Sequence, residues 1–102
     1  MSGGGVVKGG GRYRVRLAPT ALEDVERHRR AGDRKVLRKL EGLLAELTEN
    51  PRRGTGKPEL LKGDLAGLYS RRITGKHRLV YRVDDAVVTV MVVGAYGHYG
   101  DR

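Results

Sequence analysis

Residues 68–93 read LYSRRITGKHRLVYRVDDAVVTVMVV, and this stretch decides the fold. The turn-forming pairs Gly75-Lys76 and Asp84-Asp85 interrupt a sequence rich in β-branched and aromatic residues. Because these connections are so short, the segments that they join should be antiparallel neighbours in one sheet. The last segment is apolar on both faces, which is typical of a strand that is central or covered on both sides. The stretch therefore predicts a three-strand meander, with strands at 68–74, 77–83 and 86–93.

The residues before this meander predict one strand and a helical hairpin. Large and charged residues alternate over 12–17, which is the period of a strand with one buried face. Pro19 suits the first turn of a helix that ends near Gly32, and Thr20 with Glu23 forms a T-x-x-E capping box. A second helix follows, and its apolar residues recur with the spacing of one helical face: Val36, Leu37, Leu40, Leu43, Leu44 and Leu47.

The second helix has marked ends. Asp33 is a good N-cap, and Asn50-Pro51 stops the helix. Two helices joined by a short turn bury both apolar stripes when they pack on one face of a small twisted sheet. We therefore predict an α+β fold with an antiparallel-rich sheet: an N-terminal strand, a helical hairpin packed on one face, and then the three-strand meander. The other face of the sheet is left open.

We expect a single domain at 12–102, preceded by a flexible extension at 1–11. The extension, MSGGGVVKGGG, holds too little apolar surface to order itself, and we expect it to have no role in the fold. The chain has 102 residues and no cysteine, so disulfides and thiol chemistry are excluded. It holds no apolar run of membrane-spanning length and no N-terminal signal, so we expect a cytoplasmic protein without a membrane partner.

The charge of the chain favours a polyanionic partner. Lysine and arginine number 21 against 12 aspartate and glutamate residues, which gives a formal net charge of +9. Nucleic acid is the first candidate partner, and an acidic protein is the second. Arginine outnumbers lysine, which suits bidentate contacts to phosphate. The alternative is that arginine simply accumulates in chains from GC-rich genomes.

Cleavage of RNA without a metal needs a base, an acid and cations that stabilise the phosphorane. Glu59 follows Pro58 in a strongly cationic loop and is the candidate base; the alternative is a surface glutamate in an ordinary ion pair. His98, just beyond the last strand, is the candidate acid, although a single histidine is also a common structural residue. We interpret His28 and His77 as structural. The three scattered histidines lack ligand spacing, so we predict no metal and no cofactor.

Four arginines of the meander are candidates for contact with phosphate. Arg71 and Arg72 are adjacent on a strand and point to opposite faces, so one of them must lie on the open face. Arg78 and Arg82 share a face, because they are an even number of residues apart. Such arginines predict a phosphate site, and a solvated polar face is the alternative. Further cations on the second helix and the following loop would add screened attraction to RNA: Arg34, Lys35, Arg38, Lys39, Arg52 and Arg53.

The run GKPELLKGDLAGLYSRRITGKHRLVYRV, residues 56–83, resembles the hallmark of the YoeB (also called Txe) toxins of the RelE/ParE superfamily. The ending Gly97-His98-Tyr99 resembles the C-terminal His-Tyr of that family. The resemblance is dense over 56–99, weaker over 12–50, and covers nearly all of the chain after the glycine-rich start.

This resemblance implies the toxin of a type II toxin–antitoxin module. Such a toxin is a ribosome-dependent endoribonuclease that cuts messenger RNA in the ribosomal A site, without a cofactor. Its implied partners are a cognate YefM-like antitoxin, the ribosome and messenger RNA, and a homodimer is left open. By resemblance, Glu59 is the general base, Arg78 stabilises the transition state and His98 is the general acid. The implied supporting residues, which contact substrate, are Tyr99, Arg72 and Lys62.

Two alternatives remain on the same fold: a gyrase inhibitor of the ParE type, and an RNA- or ribosome-binding module whose catalytic centre has decayed. The ParE branch needs no acid–base set, so Glu59, Arg78 and His98 together argue against it. The chain departs from the family pattern near its end. Gly97 stands where a larger residue is common, which should loosen the placement of His98, and a short tail at 100–102 follows the His-Tyr pair.

Overall fold

Two helices cover one face of a six-stranded sheet in the computed structural model, which describes residues 5–7 and 10–97. The strands lie in the order β1-β2-β6-β5-β4-β3. The α+β prediction is confirmed. The elements are β1 (Gly5–Val7), β2 (Arg14–Leu17), α1 (Pro19–Arg30), α2 (Arg34–Glu49), β3 (Glu59–Leu60), a 3₁₀ turn (Gly63–Leu65), β4 (Tyr69–Arg72), β5 (Arg78–Asp84) and β6 (Thr89–Gly94).

The meander forms with the predicted order and direction, β4, β5 and β6 being antiparallel in sequence order. The predicted position of its second turn is wrong: Asp84 ends β5, and Val87 and Val88, predicted to lie in the last strand, belong to the turn, where Val88 has a positive φ of 47°. The apolar strand β6 lies inside the sheet, between β5 and β2, and it pairs with β2 in parallel. A parallel pair needs a long crossover connection, and α1 and α2 lie within the chain between these two strands. The long crossover therefore allows β2 to lie beside β6, the last strand of the chain. Short turns join β4, β5 and β6 as antiparallel neighbours.

The core lies between the helices and one face of the sheet. Alternate strand residues, Val15 with Leu17 and Val90 with Val92, are buried on this face. Tyr81 of β5 pairs with Val92 and is fully buried beside them. The buried residues of α2 confirm the predicted apolar face except at Leu37, which is half-buried: Val36, Leu40, Leu43, Leu44 and Leu47.

Most helix ends follow the local sequence. The side chain of Asp33 accepts a hydrogen bond from the amide of Val36 at 3.2 Å, and Gly32 turns the chain between the helices with a positive φ of 69°. The predicted capping box of α1 is wrong. Ala18 is the N-cap, with Pro19 at the first helical position, and the hydroxyl of Thr20 donates to the carbonyl of Val93 at 2.7 Å. The Thr20 hydroxyl therefore bonds a residue of β6 that is distant in sequence, instead of capping its own helix as the sequence pattern predicted. No helix in the described part of the chain is long and apolar enough to cross a membrane.

The expectation that residues 1–11 have no role in the fold is wrong at β1. Gly5–Val7 pairs with β2 in an antiparallel register, with Val6 opposite Arg16. Pairing of this kind uses backbone groups alone, so a glycine-rich segment with little apolar surface can still add to the free edge of a strand. The division into an extension and a domain at 12–102 stays a prediction.

A fully buried arginine joins α2, the loop after it and the sheet. The guanidinium of Arg71 donates to Glu46 Oε1 at 2.9 Å and to the Tyr81 hydroxyl at 3.0 Å. Its remaining N–H groups reach backbone carbonyls of the loop, those of Asn50, Arg53 and Thr55. All five donors of the guanidinium are therefore used, which offsets the cost of burying it.

Glu46 and Tyr81 complete this network. Burial opposes ionisation of Glu46, but hydrogen bonds from Thr55 and Arg71 outweigh it, so the pKa of Glu46 is lowered. The ionised Glu46 thus stabilises the fold above its ordinary pKa, and this contribution is lost as pH falls through the lowered value. Burial raises the pKa of the Tyr81 hydroxyl, which stays protonated and donates to the Pro51 carbonyl at 2.6 Å.

Replacing Arg71 should destabilise the fold far more than replacing its neighbour Arg72, which is exposed. We expect Arg71→Met to lower the free energy of unfolding by about 3 kcal/mol, because three loop carbonyls and the Tyr81 hydroxyl lose their donor and each unpaired buried polar group costs about 1–3 kcal/mol. Arg72→Met should change it by less than about 0.5 kcal/mol. Urea denaturation of both variants at pH 7 measures the difference, and equal losses would contradict the role assigned to Arg71.

Candidate functional site

The open face of the sheet carries a row of arginines. In β2, Arg14 and Arg16 point away from the helices, and Arg16 and Arg82 both lie opposite Met91 of β6. Arg78 shares the face of Arg82 on β5. Arg72 of β4 lies directly opposite Arg78 and is exposed on the same face. The strands β2, β5 and β4 thus present cations to one side, as a phosphate-binding surface requires.

Glu59 and Arg78 meet at one end of this row. The short strand β3 places Glu59 opposite Ser70 of β4, so Glu59 also lies on the open face. Glu59 Oε1 is 3.1 Å from Arg78 Nη2, and Arg78 Nε donates to Ser70 Oγ at 2.5 Å. Arg78 is only 8% exposed, whereas the side chain of Glu59 is 53% exposed. The site therefore combines a buried guanidinium, which Ser70 holds in place, with an exposed carboxylate that a substrate can reach.

The loop before Glu59 has an unusual backbone. Gly56 and Lys57 both have positive φ, 86° and 49°, and such a conformation costs energy for a residue other than glycine. The Gly56 carbonyl accepts from the amide of Arg72 at 2.8 Å. A Cβ at position 56 would lie 2.6 Å from the Arg72 carbonyl oxygen, so only glycine fits there. Pro58 then leads into β3, and the position of Glu59 is set by the sheet rather than by a free loop.

The other predicted cations are placed differently from Arg78. Lys62 is exposed just beyond β3, and its ammonium group has no ion-pair partner among residues 10–97. The cation that contacts Glu59 is Arg78, rather than the lysines nearby in sequence. Arg52 pairs with Asp85 at 2.8 Å, which lowers the pKa of that carboxyl. The cations of α2 lie in the helical layer, on the side of the sheet away from the open face: Arg34, Lys35, Arg38 and Lys39.

His98 and Tyr99 lie outside the described residues, so their roles stay predictions. Hydrogen bonds fix the backbone of Gly97, the residue directly before them. The Gly97 amide donates to His77 Nδ1 at 2.9 Å, and the Gly97 carbonyl accepts from the Arg78 amide at 2.9 Å. Gly97 itself has a φ of 75°, a conformation that favours glycine. Both backbone polar groups of Gly97 are therefore bonded, and the expected effect of this glycine on the placement of His98 stays a prediction.

Sequence reasoning missed one contributor to the site, Ser70, and left the place of another, Arg71, undecided. Ser70 orients Arg78 through a hydrogen bond. The alternation of side chains along β4 places Ser70 on the same face as Arg72, but it does not indicate which side chain Ser70 contacts. Arg71 was left as one of two candidates for the open face, and it is the buried one. Among residues 10–97 no group of three or more histidine, aspartate or glutamate residues is placed to hold a metal ion.

The chain matches the family model described as the YoeB-like toxin of bacterial type II toxin–antitoxin systems, over residues 17–99. It belongs to the YoeB family of toxins. Its curated relatives include toxin YoeB of Streptomyces coelicolor, which is 48% identical over 73 residues, 71% of this chain and 83% of that protein.

Solved structures of YoeB toxins share the fold. A YoeB/ParE toxin from Agrobacterium tumefaciens superposes with a TM-score of 0.77 at 38% identity, covering 83% of this chain and 98% of that one. A YoeB dimer from Staphylococcus aureus superposes with a TM-score of 0.74 at 39% identity, covering 87% and 100%. A YoeB–YefM complex from the same organism gives a TM-score of 0.72 at 38% identity, with the same coverage.

The Glu59–Arg78 ion pair should contribute little to the stability of this YoeB-family chain. Because the carboxylate is half exposed, we expect Glu59→Gln to change the free energy of unfolding by less than about 1 kcal/mol. Urea denaturation at pH 7 tests this. A loss as large as that of Arg71→Met would mean that Glu59 is part of the framework rather than of a working site.

Proposed function

We propose that this YoeB-family toxin is a ribosome-dependent endoribonuclease that cleaves messenger RNA in the A site and so inhibits translation. The observation that carries the proposal is the accessible carboxylate of Glu59 beside the held guanidinium of Arg78. Carboxylate and guanidinium are two of the three groups that metal-free cleavage of RNA needs. The cytoplasm, where ribosomes and messengers meet, is the proposed compartment.

The proposed reaction is an internal transfer. The Glu59 carboxylate takes the proton of a ribose 2′-hydroxyl, and the 2′-oxygen attacks the adjacent phosphorus. Arg78 stabilises the charge that develops on the phosphorane oxygens. The bond to the 5′-oxygen breaks, and His98 donates the proton that the leaving oxygen needs. Tyr99, Arg72 and Lys62 would hold the flanking substrate.

The proposed partner outside the ribosome is a YefM-like antitoxin, as in the S. aureus complex. A net charge of +9 and a row of arginines on the open face favour an acidic segment that folds on binding. A segment lying over Arg72 and Arg78 would block access to Glu59 and neutralise the toxin. A homodimer is proposed by analogy with the S. aureus YoeB dimer.

Removing the base should abolish most cleavage without changing binding. We expect Glu59→Gln to lower the single-turnover rate of messenger cleavage on saturated ribosomes by about 100- to 10,000-fold, the usual cost of losing a general base. Ribosome affinity should change by less than about threefold, because the variant keeps its cations. Primer extension in a translating extract maps the cuts. Glu49→Gln, at an exposed position of α2, is the matched control for the loss of one carboxylate.

Full cleavage by Glu59→Gln would assign the base to another group. Wild-type protein that binds ribosomes but cuts nothing would indicate a decayed binding module, and changes in DNA supercoiling without cuts would support a gyrase inhibitor. Codon-spaced cuts by wild type that vanish in Glu59→Gln support the ribonuclease.

The cations of the open face should govern ribosome binding more than those of the helices. Arg14, Arg16 and Arg82 share the face of Arg78 and border a groove of about 400 Å³. We expect their triple replacement by glutamine to weaken ribosome binding and to flatten its salt dependence, by about 0.7–0.9 in the log–log slope for each phosphate that the variant no longer neutralises. The cleavage rate on saturated ribosomes should stay within about threefold, because the proposed reaction uses none of these three side chains.

The matched control removes the same charge from the opposite side. Replacement of Arg34, Lys35 and Arg38 by glutamine also lowers the net charge by three but leaves the open face intact. Its effect on binding should be small and screened by salt. Equal losses of affinity in the two triple variants would show that net charge alone, rather than the open face, determines binding.

A further inference from the structure

An imidazole and tyrosine cluster joins α1, the start of β5 and the chain after β6. The ring centroids of His28, His77 and Tyr96 lie within 4.6–4.8 Å of one another, and the His28 and His77 rings meet edge to face. The guanidinium of Arg27 lies 3.6 Å from the centre of the Tyr96 ring, in a cation–π contact. His28 is buried and His77 is half-buried. The reaction proposed for Glu59 and Arg78 uses none of these side chains.

The hydrogen bonds of this cluster converge on the segment that leads to His98. His28 Nε2 donates to the Ala95 carbonyl at 2.8 Å, because a carbonyl can only accept. The Ala95 amide donates to Asp24 of α1 at 2.9 Å. Two residues later, the Gly97 amide donates to His77 Nδ1 at 2.9 Å. Residues 95–97 are thus held by side chains from α1 and by His77.

The geometry also sets the protonation of His77. An amide N–H points at Nδ1, so this nitrogen must be unprotonated, and a neutral ring carries its proton on Nε2. The Gly97 carbonyl accepts from the amide of Arg78, the residue directly after His77. Gly97 is therefore fixed from both sides by neighbouring residues at the start of β5, the strand that carries the proposed transition-state arginine.

We propose that neutral His77 is a positioning residue: its Nδ1 atom fixes the Gly97 amide and thereby aligns residues 95–97, which directly precede His98 in sequence, with Arg78. The inference rests on the proposed ribonuclease function for its catalytic consequence. Protonation of His77 places a second N–H against the Gly97 amide and removes the acceptor. The clamp, defined as the pair of bonds that join Gly97 to His77 and to the Arg78 amide, therefore loses its His77 bond in acid and keeps its Arg78 bond.

The groups around His77 favour its neutral form at neutral pH. Burial and the adjacent His28 lower the pKa of His77, with smaller contributions in the same direction from Lys76 of its own turn and Arg27 of α1. Asp33, in the turn between the helices, acts in the opposite direction. Tyr96 packs against the His77 ring from the C-terminal side. Because the pKa of His77 is lowered in the folded state, the complete clamp persists at neutral pH, and its His77 bond is lost as pH falls through that lowered value.

Two substitutions of His77 separate the acceptor from the bulk of the side chain. His77→Asn introduces an amide oxygen that branches from Cγ as Nδ1 does, whereas His77→Leu keeps similar volume without an acceptor. The first measurement is the protection of the Gly97 amide against hydrogen exchange, corrected for intrinsic rate, in the full-length protein. At pH 7.5 we expect His77→Leu to lower this protection roughly fivefold, the size of one net hydrogen bond, and His77→Asn to keep it within about twofold.

The second measurement is the single-turnover cleavage rate on saturated ribosomes. We expect His77→Leu to lose roughly 10- to 100-fold in rate at unchanged affinity, because small misplacements of a reacting group cost about that much. His77→Asn should retain most of the rate. As pH falls from about 7.5 to about 5, the range in which histidine titrates, Gly97 protection in the wild type should fall. His77→Asn should keep its protection because its acceptor does not titrate.

The outcomes distinguish the clamp from the proposed function. Wild-type protein that cleaves no messenger overturns the ribonuclease proposal alone, and Gly97 protection in the two variants then decides the clamp. Equal protection of Gly97 in wild type and His77→Leu overturns the clamp. Cleavage that is as fast in His77→Leu as in wild type, or that is lost equally in His77→Asn and His77→Leu while both stay folded, overturns the positioning role.

Discussion

The buried guanidinium of Arg71 is the constraint on which the rest of the structure depends. It binds α2 through Glu46, the sheet through Tyr81, and three backbone carbonyls of the loop that follows α2. A loop that exposes carbonyls to the interior needs donors; one arginine donates to three of these carbonyls, and the Tyr81 hydroxyl donates to that of Pro51. That loop leads through Gly56 and the strained Lys57 to Glu59, so the network that stabilises the fold also determines where the candidate base lies.

Alternation along β4 turns this framework into a site. Arg71 faces the helices and is buried, so its neighbours Ser70 and Arg72 necessarily face the open side. Ser70 then holds Arg78, and Arg78 meets Glu59 of the short strand β3. The stable part of the sheet and its reactive part are thus two faces of the same short strand. Rigid strands of this kind place charged groups more accurately than loops do, which suits chemistry that relies on preorganised charge.

Charge is divided between the two layers of the molecule. The open face carries arginines of β2, β4 and β5, whereas the cations of α2 lie in the helical layer. Net charge alone makes the chain attractive to any polyanion over a distance of about 10 Å. A strand of RNA that reached Glu59, as proposed, would meet the cations of the open face, so binding and chemistry are expected to share one face.

Local pattern was enough to determine the helices and the inner strands of this protein, but not the short edge strands β1 and β3. The helix ends at Gly32 and Asn50, the antiparallel meander and the interior position of β6 all depend on residues a few positions apart, whose preferences are read directly from the sequence. The resemblance to YoeB toxins likewise pointed to Glu59 and Arg78, and the structure brings these two together. It places Lys62 without an ion-pair partner among residues 10–97, and the roles of His98 and Tyr99 stay predictions.

Only the tertiary structure decided which polar groups meet. The hydroxyl of Thr20 donates a hydrogen bond to the Val93 carbonyl rather than capping its own helix. His77, which the sequence analysis interpreted as structural, accepts a hydrogen bond from the Gly97 amide. These partners are 73 and 20 residues apart in the chain. A hydrogen bond is short and directional, so its partner depends on the packing of distant segments against one another. Periodicity assigns a residue to a face of the sheet or helix, but it carries no information about which distant atom lies within about 3 Å of it.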